Sequence, residues 1–110
     1  MSIKNTDIID GMGIEQAANT LVLLIADPYP WMIQEQEHIN ALEKKIRNYV
    51  AYIQSGEYRS EFGDRNFDAF RIEIQSRYFM TKLCADMVVA LRATLDDCIT
   101  IKCMVKGVTA

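Results

Sequence analysis

The spacing of apolar residues changes several times along the 110-residue chain, and each change marks an element. In TLVLLIAD, Thr20 to Asp27, alternation puts Leu21, Leu23 and Ile25 on one face of a strand and Val22 and Leu24 on the other. Apolar residues on both faces predict burial on both sides, as in a central strand. From about Gln34 the interval lengthens. Ile39, Leu42, Ile46, Tyr49, Val50 and Ile53 recur at three and four residues, the stripe of an amphipathic helix. Its predicted span is Trp31 or so to Ser55, with Gly56 suited to the position that closes a helix. The interval then shortens again in AFRIEIQS, Ala69 to Ser76. Phe70, Ile72 and Ile74 face inward there, while Arg71, Glu73 and Gln75 face outward. Ser76 is placed to cap a second helix, whose inner face carries Met80, Leu83, Cys84, Met87, Val88, Leu91 and Leu95. CITIKCMV, Cys98 to Val105, reads as a last strand.

Upstream of these, Ile8-Ile9 opens a short edge strand, and Asp10 to Asn19 is a polar connection whose Gly11-Met12-Gly13 allows a hairpin-like reversal. Gly56 to Asp68 is a second connection, pinned to the body by Phe62 and Phe67. The order is β-β-α-β-α-β. It predicts one domain over residues 1–110, a two-layer α+β or α/β sandwich with a sheet of about four strands and two helices on one face. On the other face Arg71, Glu73 and Lys102 predict a wet rim, and Val22 and Leu24 a dry centre. A homodimer formed through Val22 and Leu24 satisfies both.

Charge and composition narrow the classes. The net charge is −3 and the basic residues form no run longer than a pair, so no nucleic-acid partner is expected. The longest apolar run, Leu21 to Ala26, falls far short of a bilayer span, and the start carries no secretory signal. Three cysteines, Cys84, Cys98 and Cys103, cannot all pair with one another. With the chain read as complete from Met1, a cytoplasmic protein with reduced thiols is expected.

Chemistry has one candidate address, the joint ADPYPWM, Ala26 to Met32, between the first certain strand and the long helix. Its prolines stop the strand and suit a helix start, so structure alone accounts for them. The single histidine, His38, lies just beyond, near Glu35, and Asp27 approaches it if the joint folds back. One reading makes His38 a general base with Asp27 or Glu35. The other leaves it a half-exposed helix residue bonded to solvent or Glu35. A metal site is not expected, since one imidazole and three scattered cysteines supply no ligand set. No cofactor is expected either, because Gly11-Met12-Gly13 lacks the remainder of a phosphate-binding fingerprint. Tyr29, Trp31, Tyr49 and Tyr52 cluster around the long helix, with Tyr49 and Tyr52 on the flank of His38. They either line a binding surface or border the core.

The segments TLVLLIADPYPW, EHINALEKKIRNYVAYIQSGE and FRIEIQSRY resemble a bacterial family of small uncharacterised proteins. The matching residues are Asp27, Trp31, Glu37, His38, Ser55, Gly56 and Glu57, and the likeness spans about residues 6 to 104. The resemblance implies a fold and no mechanism. Taken together, the sequence favours a small interaction protein without catalytic activity, self-associating or bound to a protein partner whose basic surface complements its acidity. The alternatives are a small hydrolase or isomerase using His38 with Asp27 or Glu35, and a ligand-binding regulatory module with an aromatic pocket.

Overall fold

A computed structural model describes residues 6–31, 34–63 and 65–105. Met32 of the joint and Asp64 of the second connection lie outside them. The elements are β1 (Gly11–Glu15), β2 (Thr20–Asp27), α1 (Glu35–Ser55), α2 (Arg59–Phe62), β3 (Ala69–Ser76), α3 (Lys82–Arg92) and β4 (Ile99–Val105). The sheet order is β1-β2-β3-β4, with β1 antiparallel to β2 and the other pairs parallel. The two-layer α/β expectation is met: α1 and α3 cover one face, and their apolar stripes meet Leu21, Leu23, Ile25, Phe70, Ile72, Ile74, Ile99 and Ile101 in a single core. Each fully buried Leu or Ile there contributes about 1.5–3 kcal/mol relative to exposure. No helix among the described residues is long and apolar enough to cross a membrane.

Several boundaries differ from the sequence expectation. The first strand is not at Ile8-Ile9; it includes Gly11-Met12-Gly13, and the reversal falls at Gln16 to Asn19. There Asn19 adopts φ 47°, a conformation its short polar side chain tolerates, and its backbone N–H donates to the Gln16 carbonyl at 3.2 Å. The glycines serve the sheet instead. Gly11 stands beside Leu24 and Gly13 beside Val22, and a Cβ on Gly11 would lie 3.2 Å from a Leu24 methyl.

The long helix starts at Glu35 rather than near Trp31, because Gln34 holds a left-handed backbone (φ 56°) that a helix cannot include. No side chain caps this end, but Glu35 and Glu37 offer negative charge to the exposed N–H groups. Gly56 closes the other end with φ 80°, its N–H donating to the Ile53 carbonyl. The second connection holds the one-turn α2, and Tyr58, Phe62, Phe67 and Phe70 meet around it, edge-on except for the tilted Tyr58–Phe70 contact. Ser76 does not cap α3. It ends β3 as a buried residue, and Thr81 caps the helix by accepting the Cys84 N–H at 3.2 Å. Of the predicted inner face of α3, Cys84, Val88 and Leu91 are buried, whereas Leu83 is exposed.

On the outer sheet face a charged arch crosses the apolar centre. Arg71 stands beside Val22 in register, and its guanidinium crosses β2 to meet Glu15 of β1 at 2.8 Å while also meeting Glu73 at 2.9 Å. The arch leaves Val22 9 % exposed. The aliphatic stem of an arginine covers apolar surface well while its head stays wet. Leu24 remains half-buried over the glycine edge.

Candidate functional site

The joint does fold back. Asp27 ends β2 on its inner face, and the extended Pro28 to Pro30 segment carries the chain over the carboxyl end of the sheet to the start of α1. His38 sits one turn into that helix, so its ring points down at Asp27. Nε2 lies 2.8 Å from Oδ1 and 2.7 Å from Oδ2, and Nδ1 lies 3.3 Å from the Pro30 carbonyl. Trp31 stacks on the imidazole face, centroids 3.5 Å apart and planes 5° from parallel, while Tyr29 meets its edge at 6.3 Å. Asp27 and His38 are both buried.

His38 is therefore neither half-exposed nor bonded to Glu35. Among the described residues Glu35 makes no hydrogen bond or ion pair with it. The protons follow from the partners. The Pro30 oxygen only accepts, so Nδ1 is assigned an N–H. Between Nε2 and the carboxyl one further proton must lie, on either side of a charge-assisted or neutral hydrogen bond. Burial pushes the Asp27 carboxyl above its ordinary value; the contact with His38 and the Tyr29 N–H act in the opposite direction. Both ring nitrogens are thus engaged, and the ring face is covered by indole. A general base needs a nitrogen turned toward substrate, and this geometry presents none.

Among the described residues, two polar atoms beside the pair lack partners. Ser76 lies next to Asp27 in the parallel β2–β3 register, and its Oγ is buried without a hydrogen bond. The Trp31 indole N–H is in the same condition. The buried Cys84 on α3 has its thiol pushed up to about 12, chiefly by burial and then by the charge of Asp27.

Tyr49 and Tyr52 share the helix flank of His38 but not its site. At 1.5 Å per residue, Tyr49 lies about 16 Å further along the axis. Its hydroxyl donates to the Leu24 carbonyl at 2.6 Å and accepts the Asp10 N–H at 2.9 Å. Burial drives its phenol far above the usual tyrosine range. Between His38 and Tyr49 on α1 lies a pair that the sequence reading missed. Lys45, wholly buried, places Nζ 2.9 Å from Asp10 Oδ1, while Asp10 Oδ2 accepts the Ala26 N–H at 2.8 Å. The signal was available: Lys45 follows His38 by two turns and interrupts an apolar stripe between Leu42 and Ile46. A lysine there is buried and paired, or the stripe is broken.

Tyr52 belongs to a second locus. It borders a cavity of about 500 Å³ between α1, the residues before β1 and the start of α2. Asp7, Glu57 and Glu61 line it together with Asn48, Met12 and Tyr49, and among the described residues no lysine or arginine does. Burial, then the charges of Glu61 and Glu57, pushes the Tyr52 phenol above its ordinary value. Asn48 ties the cavity wall by donating to the Thr6 carbonyl at 2.9 Å.

Compared with protein families, residues 1–106 match a family of unknown function, DUF6572. The chain belongs to this family. The match covers both loci, the Asp27–His38 joint and the acidic cavity, within one DUF6572 unit. No curated protein and no solved structure matches the chain.

Proposed function

We propose that this DUF6572 chain is a binding module without catalytic turnover that receives a basic segment of a partner protein. The observation that carries the reading is the cavity beside Tyr52, where Asp7, Glu57 and Glu61 converge with no basic side chain among the described residues of the lining. Carboxylates around a phenol suit a guanidinium or ammonium group, which gains both charge pairing and ring contact. The overall charge of −3 steers such a partner toward the chain.

The test uses a fluorescently labelled oligoarginine peptide and anisotropy at low and moderate salt. Binding should weaken at least about tenfold when Glu57→Gln and Glu61→Gln are combined, and stay unchanged with Asp86→Asn on the far helix. Equal losses from both sets of substitutions would mean diffuse charge attraction and would overturn the reading.

A second reading is favoured by the 2.7 Å contact of His38 with Asp27, which places an acid–base pair at the carboxyl end of parallel strands. It requires the pair to open and turn a ring nitrogen outward. A substrate-sized ligand that perturbs the His38 ring resonances would support it.

A further inference from the structure

The hydrogen-bond demands around His38 cannot all be met once the pair loses a proton. With Nδ1 facing the Pro30 carbonyl and Nε2 facing the Asp27 carboxyl, the three groups need two protons to be mutually satisfied. With one proton, either Nε2 presents a lone pair to a carboxylate or Nδ1 presents one to a carbonyl. One of the two contacts that hold the joint to α1 must then be given up.

The closed joint already carries a cost that opening removes. Trp31 Nε1 and Ser76 Oγ are buried without partners, and each would gain water if the joint lifted. The other ionisable groups around the pair are the Tyr29 phenol, whose ring meets the edge of the imidazole, and Cys84 on α3, whose thiol feels the charges of Asp27, Cys103 and Glu35. Cys84, held as a neutral thiol by burial, does not compete for the proton.

We propose that Asp27 and His38 form a proton-operated latch on the joint from Tyr29 to Trp31, closed while the pair holds two protons and open to solvent when one is lost. The device acts on the alkaline side only. Adding a proton to Asp27 still leaves a carboxyl oxygen to accept from Nε2–H, so acid does not release it.

The chain has one histidine and one tryptophan, which makes the test direct on the unmodified protein. The ring protons of His38 are followed by NMR and the acrylamide quenching of Trp31 by fluorescence, from about pH 5 to about pH 9. The two midpoints should coincide, with the quenching constant rising at least about threefold above them, as local opening requires. In His38→Gln the amide cannot titrate, so the quenching transition should vanish whether Trp31 is then covered or exposed throughout. Should His38→Gln fail to fold, Asp27→Asn shifts the His38 midpoint and must carry the Trp31 transition with it. Equal quenching on both sides of the His38 titration would overturn the latch. So would a Trp31 transition that survives the loss of the histidine.

Discussion

Helix α1 is fastened to the sheet by two buried charge pairs, and they are built on different principles. At mid-helix, Lys45 meets an Asp10 carboxylate whose other oxygen caps the Ala26 N–H, and the Tyr49 hydroxyl closes the circuit between the Asp10 N–H and the Leu24 carbonyl. Near the helix start, His38 meets Asp27 with a proton count that can change, beside two polar atoms left without partners. A buried network with every member satisfied fixes geometry; one partly satisfied has a reason to rearrange. The same helix thus carries a permanent fastening and a conditional one.

The largest expected effect breaks the permanent pair. Lys45→Met leaves the Asp10 carboxylate without its cation and should cost about 3–5 kcal/mol in urea unfolding. Adding Asp10→Asn to it should recover part of that loss, since the penalty lies in the stranded charge. Tyr49→Phe comes next. It strands the Leu24 carbonyl and the Asp10 N–H and should cost about 1–3 kcal/mol by the same measurement.

The conditional pair is sharpened by pH. The carboxyl of Asp27 is raised above its ordinary 3.8 in the folded chain, so the fold binds that proton more tightly than the unfolded chain does. Its contribution is fully present below 3.8 and is lost as pH rises through the higher folded value. Asp27→Asn should flatten the unfolding midpoint across that window relative to the native protein, whereas Tyr49→Phe should only lower it. The smallest effect belongs to an exposed pair on the same helix. Arg47 meets Glu43 at 2.7 Å in solvent, and Arg47→Ala should change stability by about 0.5 kcal/mol or less.

Period and punctuation made the framework readable from sequence. Alternation located β2 and β3, the three-and-four stripe located α1, and Gly56 marked its end. The turn at Asn19 was less legible, because two glycines nearby look like a reversal, while their lack of side chains is used by Leu24 across the sheet. The late start of α1 depends on a left-handed Gln34, a residue type with no sequence signal for that conformation. At the joint, Asp27 and His38 could be paired on paper only if the chain doubled back, which depends on tertiary packing. The stacking of Trp31 was not foreseeable for the same reason. Lys45 was legible as the residue that interrupts the apolar stripe between Leu42 and Ile46.

The strand order repeats the chain order, β1 to β4. No strand has to be inserted between two others made earlier, so every segment leaving the ribosome finds its sheet neighbour already synthesised. The hairpin of β1 and β2 comes first of these elements; α1, the next long element to emerge, covers its inner face, and β3 then pairs with the open edge of β2. Assembly can therefore keep pace with translation, and the interval during which the apolar β2 stands uncovered is set by the time needed to make one helix.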